Sequence, residues 1–426
     1  MTSPISRRGI DVQAVRAHFP ALARTHAGRP LVYLDGPAGT QLPTECIEAM
    51  VRYIETSNAN HGGAFVTSIE TDALLDEAHA AAADFLGAHE PQEIAFGANM
   101  TTITLAVSRA LGRDLNAGDE IVLSRLDHDA NVAPWLAMAE ERGVRVRWLE
   151  VRAEDCTLDL DALESLIGER TRLVALGLAS NAVGTLNDVG RVIEMAHAYG
   201  AHVFVDAVHA APHVPIDVSS LRADYLVCST YKFYAPHLGV LYGRRDLLER
   251  LRFFRVRPAG SALPGKLETG TPPFELLAGL LGTFAYLTAL GRAYGDHPGG
   301  DRWSELHAAM AAIRAHEHGL TGPLLEGLAS VPGLRVNGII EPARFDERVP
   351  TVAFRIEGLQ PRRIAEHLAG LGINVWDGDM YAIELIRSLG LDDVGGVVRV
   401  GLMHYNTLEE VDRLVEALRD LTQARG

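Results

Sequence analysis

DYLVCSTYKFYAPHLGVLYGR (224–244) contains two short apolar runs, DYLVCS (224–229) and GVLYG (239–243), joined by a turn that carries Lys232. Runs of this length, rich in β-branched and aromatic residues, predict strands buried on both faces. The same pattern recurs outward from this stretch. EIAFG (93–97), EIVLS (120–124), VRVRWLEV (144–151), RLVALGLAS (172–180) and HVFVDA (202–207) are further strand candidates. Amphipathic stretches such as TTITLAVSRAL (101–111) and VGRVIEMAHAYG (189–200) lie between them. Strands alternating with helices predict an α/β domain, a doubly wound and mostly parallel sheet with right-handed crossovers.

Beyond about residue 276 the pattern changes. A long helical region, FELLAGLLGTFAYLTAL (274–290) and WSELHAAMAAIRAHEHGL (303–320), precedes strand candidates LRVNGI (334–339), TVAFRIEG (351–358), INVWDG (373–378) and VVRVGL (397–402). A final helix is predicted over TLEEVDRLVEALRDL (407–421), so a smaller α+β domain follows the first. GRAYGDHPGGDR (291–302) is the most loop-like stretch and reads as a surface excursion.

The chain has 426 residues, 47% of them hydrophobic, which is ample for a large core and a cleft between domains. A formal net charge of −16 argues against nucleic acid or an anionic membrane as the main partner. No apolar run is expected to reach the roughly 20 residues that span a bilayer. The start, MTSPISRRGIDVQAV, lacks the apolar core of a secretory signal, so the expected location is the cytoplasm. Cys46, Cys156 and Cys228 are widely spaced and suggest neither a disulfide framework nor a metal site.

Of 39 basic residues only two, Lys232 and Lys266, are lysine. An arginine guanidinium stays protonated and does not form an imine, whereas a lysine amine does. Ligands in open α/β sheets bind beyond the carboxyl ends of the strands. There lie Gly97 to Thr102, His128, Asn181, Asp206, and Ser229 to Lys232. Each has an ordinary reading too: Lys232 as a solvated surface lysine, Asp206 as a turn or cap, His128 as a structural histidine. Together, an amine and a carboxylate suit pyridoxal 5′-phosphate (PLP), which needs an imine partner and an acid to keep its ring nitrogen protonated. GANMTT (97–102), opening an apolar helix, suits the phosphate. Arg399, inside VVRVGL, requires an anionic partner, either a substrate carboxylate or a structural acid. His316 and His318, flanking Glu317, read as a solvated polar stretch.

The motifs YLDGPAG (33–39), LDHDANVAPW (126–135), SNAVGT (180–185), VDAVHAAPH (205–213), CSTYKFYAPHLGVLYGR (228–244), ETGTPPFE (268–275) and RVGLMHYNTLEEVDRL (399–414) together resemble the class V aminotransferases of PLP fold type I, in the cysteine-desulfurase-like branch. The resemblance covers almost the whole chain in the right order. It implies an N-terminal segment 1–30 packing with the small domain, a large PLP-binding domain over 31–275, and a small domain over 276–426. By position, Lys232 would carry the cofactor, Asp206 would pair with the pyridine nitrogen, and His128 would stack over the ring. His209 would donate to the phenolic oxygen, a place usually held by glutamine. Met100, Thr101, Ser229 and Tyr231 would hold the phosphate. Gly270 and Thr271 match a segment that reaches the neighbouring subunit's phosphate, which implies a homodimer. Asn181 and Arg399 would hold an amino-acid carboxylate.

Two departures stand out. The mobile desulfurase cysteine falls in NVWDGDMYAIEL (374–385), where this chain has Met380 and Tyr381. Trp376 replaces an arginine that assists carboxylate binding. The expectation drawn from these departures is a carbon–sulfur lyase that cleaves a cysteine S-conjugate by β-elimination to thiol, pyruvate and ammonia. Trp376 and Tyr381 would line a pocket for the sulfur substituent, or serve only in loop packing. Decarboxylation-coupled deamination, transamination, epimerisation and cysteine desulfuration are the alternative outcomes. A non-catalytic binding protein that kept the fold is the third reading, and retention of Lys232, Asp206, Asn181 and Arg399 argues against it.

Overall fold

The structure is a computed structural model that describes residues 9–295 and 299–423. All of MTSPISRR, on which much of the reading of the start rests, and the centre of GRAYGDHPGGDR lie outside those residues. Seven strands form the main sheet: β1 (Ile94–Gly97), β2 (Glu120–Ser124), β3 (Arg145–Leu149), β4 (Thr171–Gly177), β5 (His202–Asp206), β6 (Tyr225–Ser229) and β7 (Gly239–Gly243). Their order across the sheet is β1-β7-β6-β5-β4-β2-β3. Only β7 runs antiparallel to its neighbours. Every strand expected in this half is present, with two local differences. VRVRWLEV breaks after Leu149, and Val151–Arg152 pairs instead with Thr157–Leu158. RLVALGLAS leaves the sheet after Gly177, because Ser180 turns back to bond Thr185, a loop that presents Asn181.

Helices cover both faces, as a parallel sheet requires. Helix α1 spans Thr44–Thr56; on one side of the sheet α2 (Val66–Leu86) buries Ala78, Ala82 and Phe85 in one core with Ile94 and Val240. On the other side α3 (Met100–Gly112) and α4 (Ala133–Arg142) bury Met100, Val107, Trp135 and Met138 against Ile121, Phe204 and Leu241. Helix α5 (Val189–Ala198) packs Val192 and Ile193 into the larger core. Helix α6 (Phe274–Tyr294) packs on α1, α2 and α7 (Arg302–Ala329). At 21 residues α6 is long and apolar enough to cross a bilayer by length and composition, which corrects the expectation that no apolar run reaches that size. Two-thirds of its most apolar window is buried inside the protein, and a helix surrounded by core is apolar on every face.

A second, antiparallel sheet is built from β8 (Leu334–Asn337), β9 (Thr351–Ile356), β10 (Trp376–Gly378) and β11 (Val397–Gly401), in the order β8-β9-β11-β10. Helices α8 (Pro361–Gly370) and α9 (Leu408–Gln423), with the end of α7, bury Leu324, Leu328, Ile364 and Leu414 against Phe354 and Val400. INVWDG is split: Ile373–Asn374 pairs with Val32–Tyr33, and only Trp376–Gly378 joins this sheet. Near the N-terminus, Arg16 donates to the Tyr405 carbonyl (2.6 Å) and to Glu410 (2.9 Å). The HEH stretch differs from expectation. Glu317 is 1% exposed and bonds His213, because the inward face of α7 carries it into the core.

Candidate active site

The carboxyl ends of the main-sheet strands open into a cavity of about 390 Å³, closed from the other side by the second sheet. Lys232 lies one short turn past β6 and is held there by the bond of its Nζ to the Pro37 carbonyl. Burial, then the positive charge of Arg399, pulls its amine down from 10.5 to about 7, against the opposing pull of Asp206. A desolvated lysine of this kind has a substantial neutral fraction near neutral pH, and the neutral amine is a nucleophile. Asp206 ends β5, and its Oδ1 accepts the Val208 N–H at 2.8 Å. Burial raises its carboxyl to about 6. A cationic ring nitrogen beside it would reverse that shift, since an opposite charge favours the carboxylate.

The N-terminus of α3 forms one wall. Asn99 caps it through the Thr102 N–H (2.9 Å), and the Met100 N–H bonds Ser229 Oγ at 3.2 Å. Free N–H groups of a first turn attract an anion. Gly239 lets β7 abut this turn, for a Cβ there would meet the Asn99 carbonyl carbon at 2.5 Å. Thr101 and Tyr231 also line the cavity. The Tyr231 ring stacks on His237 at 4.7 Å, with Lys232 Nζ over its face at 4.9 Å. His128 follows β2, and its Nδ1 accepts the Ala130 N–H. Burial, then Lys232 and Arg399, lowers the imidazole to about 4, so it is neutral and free to lie against an aromatic ring.

In this cavity two buried side-chain atoms have no hydrogen-bond partner among the described residues. Arg399 reaches in from β11 and donates from Nη1 to the Asn181 carbonyl at 2.7 Å, while its Nε and the Oδ1 of Asn181 have no hydrogen bond. Burial lowers this guanidinium to about 10, still charged at neutral pH. A buried cation with an unused donor fits an anionic ligand. Trp376 and Tyr381 stand at the mouth, 49% and 68% exposed. Met380 and Tyr381 both adopt left-handed backbone (φ 57° and 54°), pinned by Asn181 Nδ2 on the Met380 carbonyl and by the Asp129 N–H on the Tyr381 carbonyl.

His209 lines the cavity as well. Gly270 and Thr271 do not: they border a separate hollow with His61, His79 and Glu268. Lys266, the second lysine, is tied to the Glu249 carbonyl at 2.9 Å. All three cysteines are buried and none lines the cavity; burial pushes the Cys46 thiol up to about 11 and that of Cys156 to about 12. Asp127 was not singled out from the sequence. It accepts the Gly177 N–H (3.0 Å) and the Asn131 amide (2.7 Å), and burial raises it to about 7. Its place directly before His128, past a strand end, was the available signal.

A buried amine facing a buried carboxylate, at the carboxyl edge of this mixed sheet and next to a helix N-terminus, defines a PLP enzyme of fold type I. The sequence matches the family model Aminotransferase class-V over residues 32–296 and 302–414. The chain belongs to the class V aminotransferases, and its cofactor is pyridoxal 5′-phosphate. A probable cysteine desulfurase of Streptomyces coelicolor is 33% identical, covering 98% of both chains. The aminotransferase-like protein FGM3 of Gibberella zeae is 34% identical, covering 97% of this chain and 99% of its own. The structure of the cysteine desulfurase CsdA of Escherichia coli superposes with a TM-score of 0.83 at 29% identity, covering 98% of this chain and all of the other.

These comparisons correct the expected activity. Relatives matched over nearly the full length are named cysteine desulfurases, so β-elimination from a cysteine S-conjugate is not the reading they favour. The absence of a cysteine at Tyr381 is outweighed by the match over the rest of the chain. One loop residue says less about the reaction than a sequence and fold matched from end to end.

Proposed function

We propose that this enzyme is a cysteine desulfurase that passes sulfur to a thiol from outside the chain. The observation that carries the reading is the pair of unused buried atoms, Arg399 Nε and Asn181 Oδ1, in the cavity of Lys232. They suit the carboxylate and the amine of an amino acid, in an enzyme whose relatives are named desulfurases. PLP supplies an electron sink for the bonds broken at the substrate. Lys232 would move the proton at Cα, Asp206 would keep the cofactor's ring nitrogen protonated, and His128 would stack on the ring. Met100, Thr101, Ser229 and Tyr231 would hold the phosphate, and His209 would donate to a ring oxygen.

The reaction balances as cysteine plus a thiol giving alanine plus a persulfide: the Cβ–S bond breaks and an S–S bond forms. No thiol of this chain lines the cavity, so the acceptor must enter past Trp376 and Tyr381. Gly270 and Thr271 would complete the phosphate site of a second copy. An exposed apolar set on α1 and α2, with Ile47, Val51, Ile54, Phe65, Val66 and Ile69 all at least 38% exposed, supports a homodimer.

The test is a turnover assay of the PLP-loaded enzyme with cysteine and dithiothreitol. Alanine and sulfide in equal amounts, rising with dithiothreitol, are expected. Pyruvate with ammonia in place of alanine would overturn the proposal.

A further inference from the structure

His209 is 3% exposed, and its Nε2 lies 2.9 Å from Oγ1 of Thr351 on β9. Thr351 is fully buried, and among the described residues its hydroxyl meets no other hydrogen-bond partner. A buried O–H left without an acceptor costs about 1–3 kcal/mol. The hydroxyl therefore donates to Nε2. A neutral imidazole that accepts at Nε2 carries its proton on Nδ1. Neutrality follows from the surroundings: burial, then His213, Arg399, Lys232 and His128, hold the ring well below 6.5. No protein group bonds Nδ1 among the described residues, which leaves that N–H for the cavity the ring lines.

The ring is also held from behind. His213 packs edge-on against it, with centroids 5.4 Å apart at 68°, and His213 is itself bonded through Nδ1 to Glu317 at 2.8 Å. His213 and Glu317 are each 1% exposed, so His209 has little freedom to rotate.

We propose that Thr351 is a positioning residue whose hydroxyl fixes His209 as the Nδ1–H tautomer, a neutral donor for an oxygen atom held in the cavity. The second sheet thereby controls the hydrogen-bonding character of a group on the main sheet. The inference needs the PLP site but not the desulfurase reading, and its test is independent of turnover.

Histidine labelled with ¹⁵N gives two-bond proton–nitrogen correlations that distinguish the two neutral tautomers. The His209 pattern is identified by its loss in His209→Gln. In the cofactor-free enzyme the wild type should show Nδ1 protonated. Thr351→Ser should keep that pattern, and the isosteric Thr351→Val should lose it. In the PLP-loaded enzyme, Thr351→Val should shift the midpoint of the cofactor's visible-absorbance pH titration, and Thr351→Ser should restore it. Nε2 protonation in the wild type, or an unchanged His209 pattern in a folded Thr351→Val, overturns the proposal. If Thr351→Val does not fold, the wild-type and Thr351→Ser spectra decide it.

Discussion

Arg399 Nη1 donates a 2.7 Å hydrogen bond to the main-chain carbonyl of Asn181, a residue 218 positions earlier in the chain. One bond thus ties the second sheet to the loop past β4 and brings both unused polar atoms into one cavity. With the Arg399 guanidinium on the substrate carboxylate, its removal leaves that anion unpaired. Loss of one partner of a buried charged pair costs roughly 2–5 kcal/mol, about 30- to several thousand-fold in equilibrium terms. Arg399→Ala should raise KM for the amino acid by that order, and Arg399→Lys should not restore it, because an ammonium lacks the planar fork. An unchanged KM would place the carboxylate elsewhere.

Lys232 titrates near 7 in the cofactor-free enzyme, and only the neutral amine attacks PLP. The rate of cofactor uptake should rise about tenfold per pH unit up to roughly 7 and then level off. Arg399 depresses this amine and Asp206 raises it. The midpoint should therefore move up in Arg399→Gln and down in Asp206→Asn, as read by stopped-flow absorbance. Shifts of the same sign in both variants would contradict this electrostatic account.

Lys232→Ala should abolish the covalent link to the cofactor, and with it the corresponding visible absorbance. Its loss as proton carrier should lower turnover by about 10²–10⁴-fold or more. Thermal unfolding without cofactor should hold or improve, since no buried amine remains to be desolvated. Retained turnover would reassign the base.

Tyr381 occupies the exposed loop where desulfurase relatives are expected to place a thiol. Tyr381→Cys should accumulate a protein-bound persulfide in a single turnover without added thiol, detected by alkylation and mass spectrometry. The wild type should not. A variant as dependent on dithiothreitol as the wild type would show that this loop is not on the sulfur path.

Glu317 and His213 form a buried pair. Removal of one partner leaves an uncompensated buried polar or charged group, a loss of roughly 3–5 kcal/mol. Glu317→Ala should unfold at clearly lower denaturant than the wild type, whereas an exposed substitution such as Glu416→Ala should not. Equal midpoints would mean that the pair contributes nothing net.

Much of the architecture was legible in the chain. Lys232, Asp206, Ser229, Asn181 and His128 could be placed because each lies at or within a few residues of the end of an apolar strand run, and a parallel sheet puts all such ends on one edge. The split of INVWDG was not legible, because a continuous apolar run does not record that Ile373 pairs with Val32 while Trp376 pairs with Arg399. Glu317 looked solvated between two histidines, for local polarity does not reveal which face of α7 turns inward. The buried helix α6 was likewise undervalued as a membrane-length run.

Strand ends, lysine scarcity and motif order were properties of the sequence alone, because periodicity and turn chemistry act over a few residues. They determined the mixed-sheet fold and the cofactor, and they singled out Lys232 as the lysine expected to carry it. The tertiary structure decided what no local pattern encodes: Arg399 opposite Asn181, Thr351 against His209, and three cysteines shut away from the cavity. The two pairings depend on the second sheet closing over the first, and side chains more than a hundred residues apart become partners only when that closure is made.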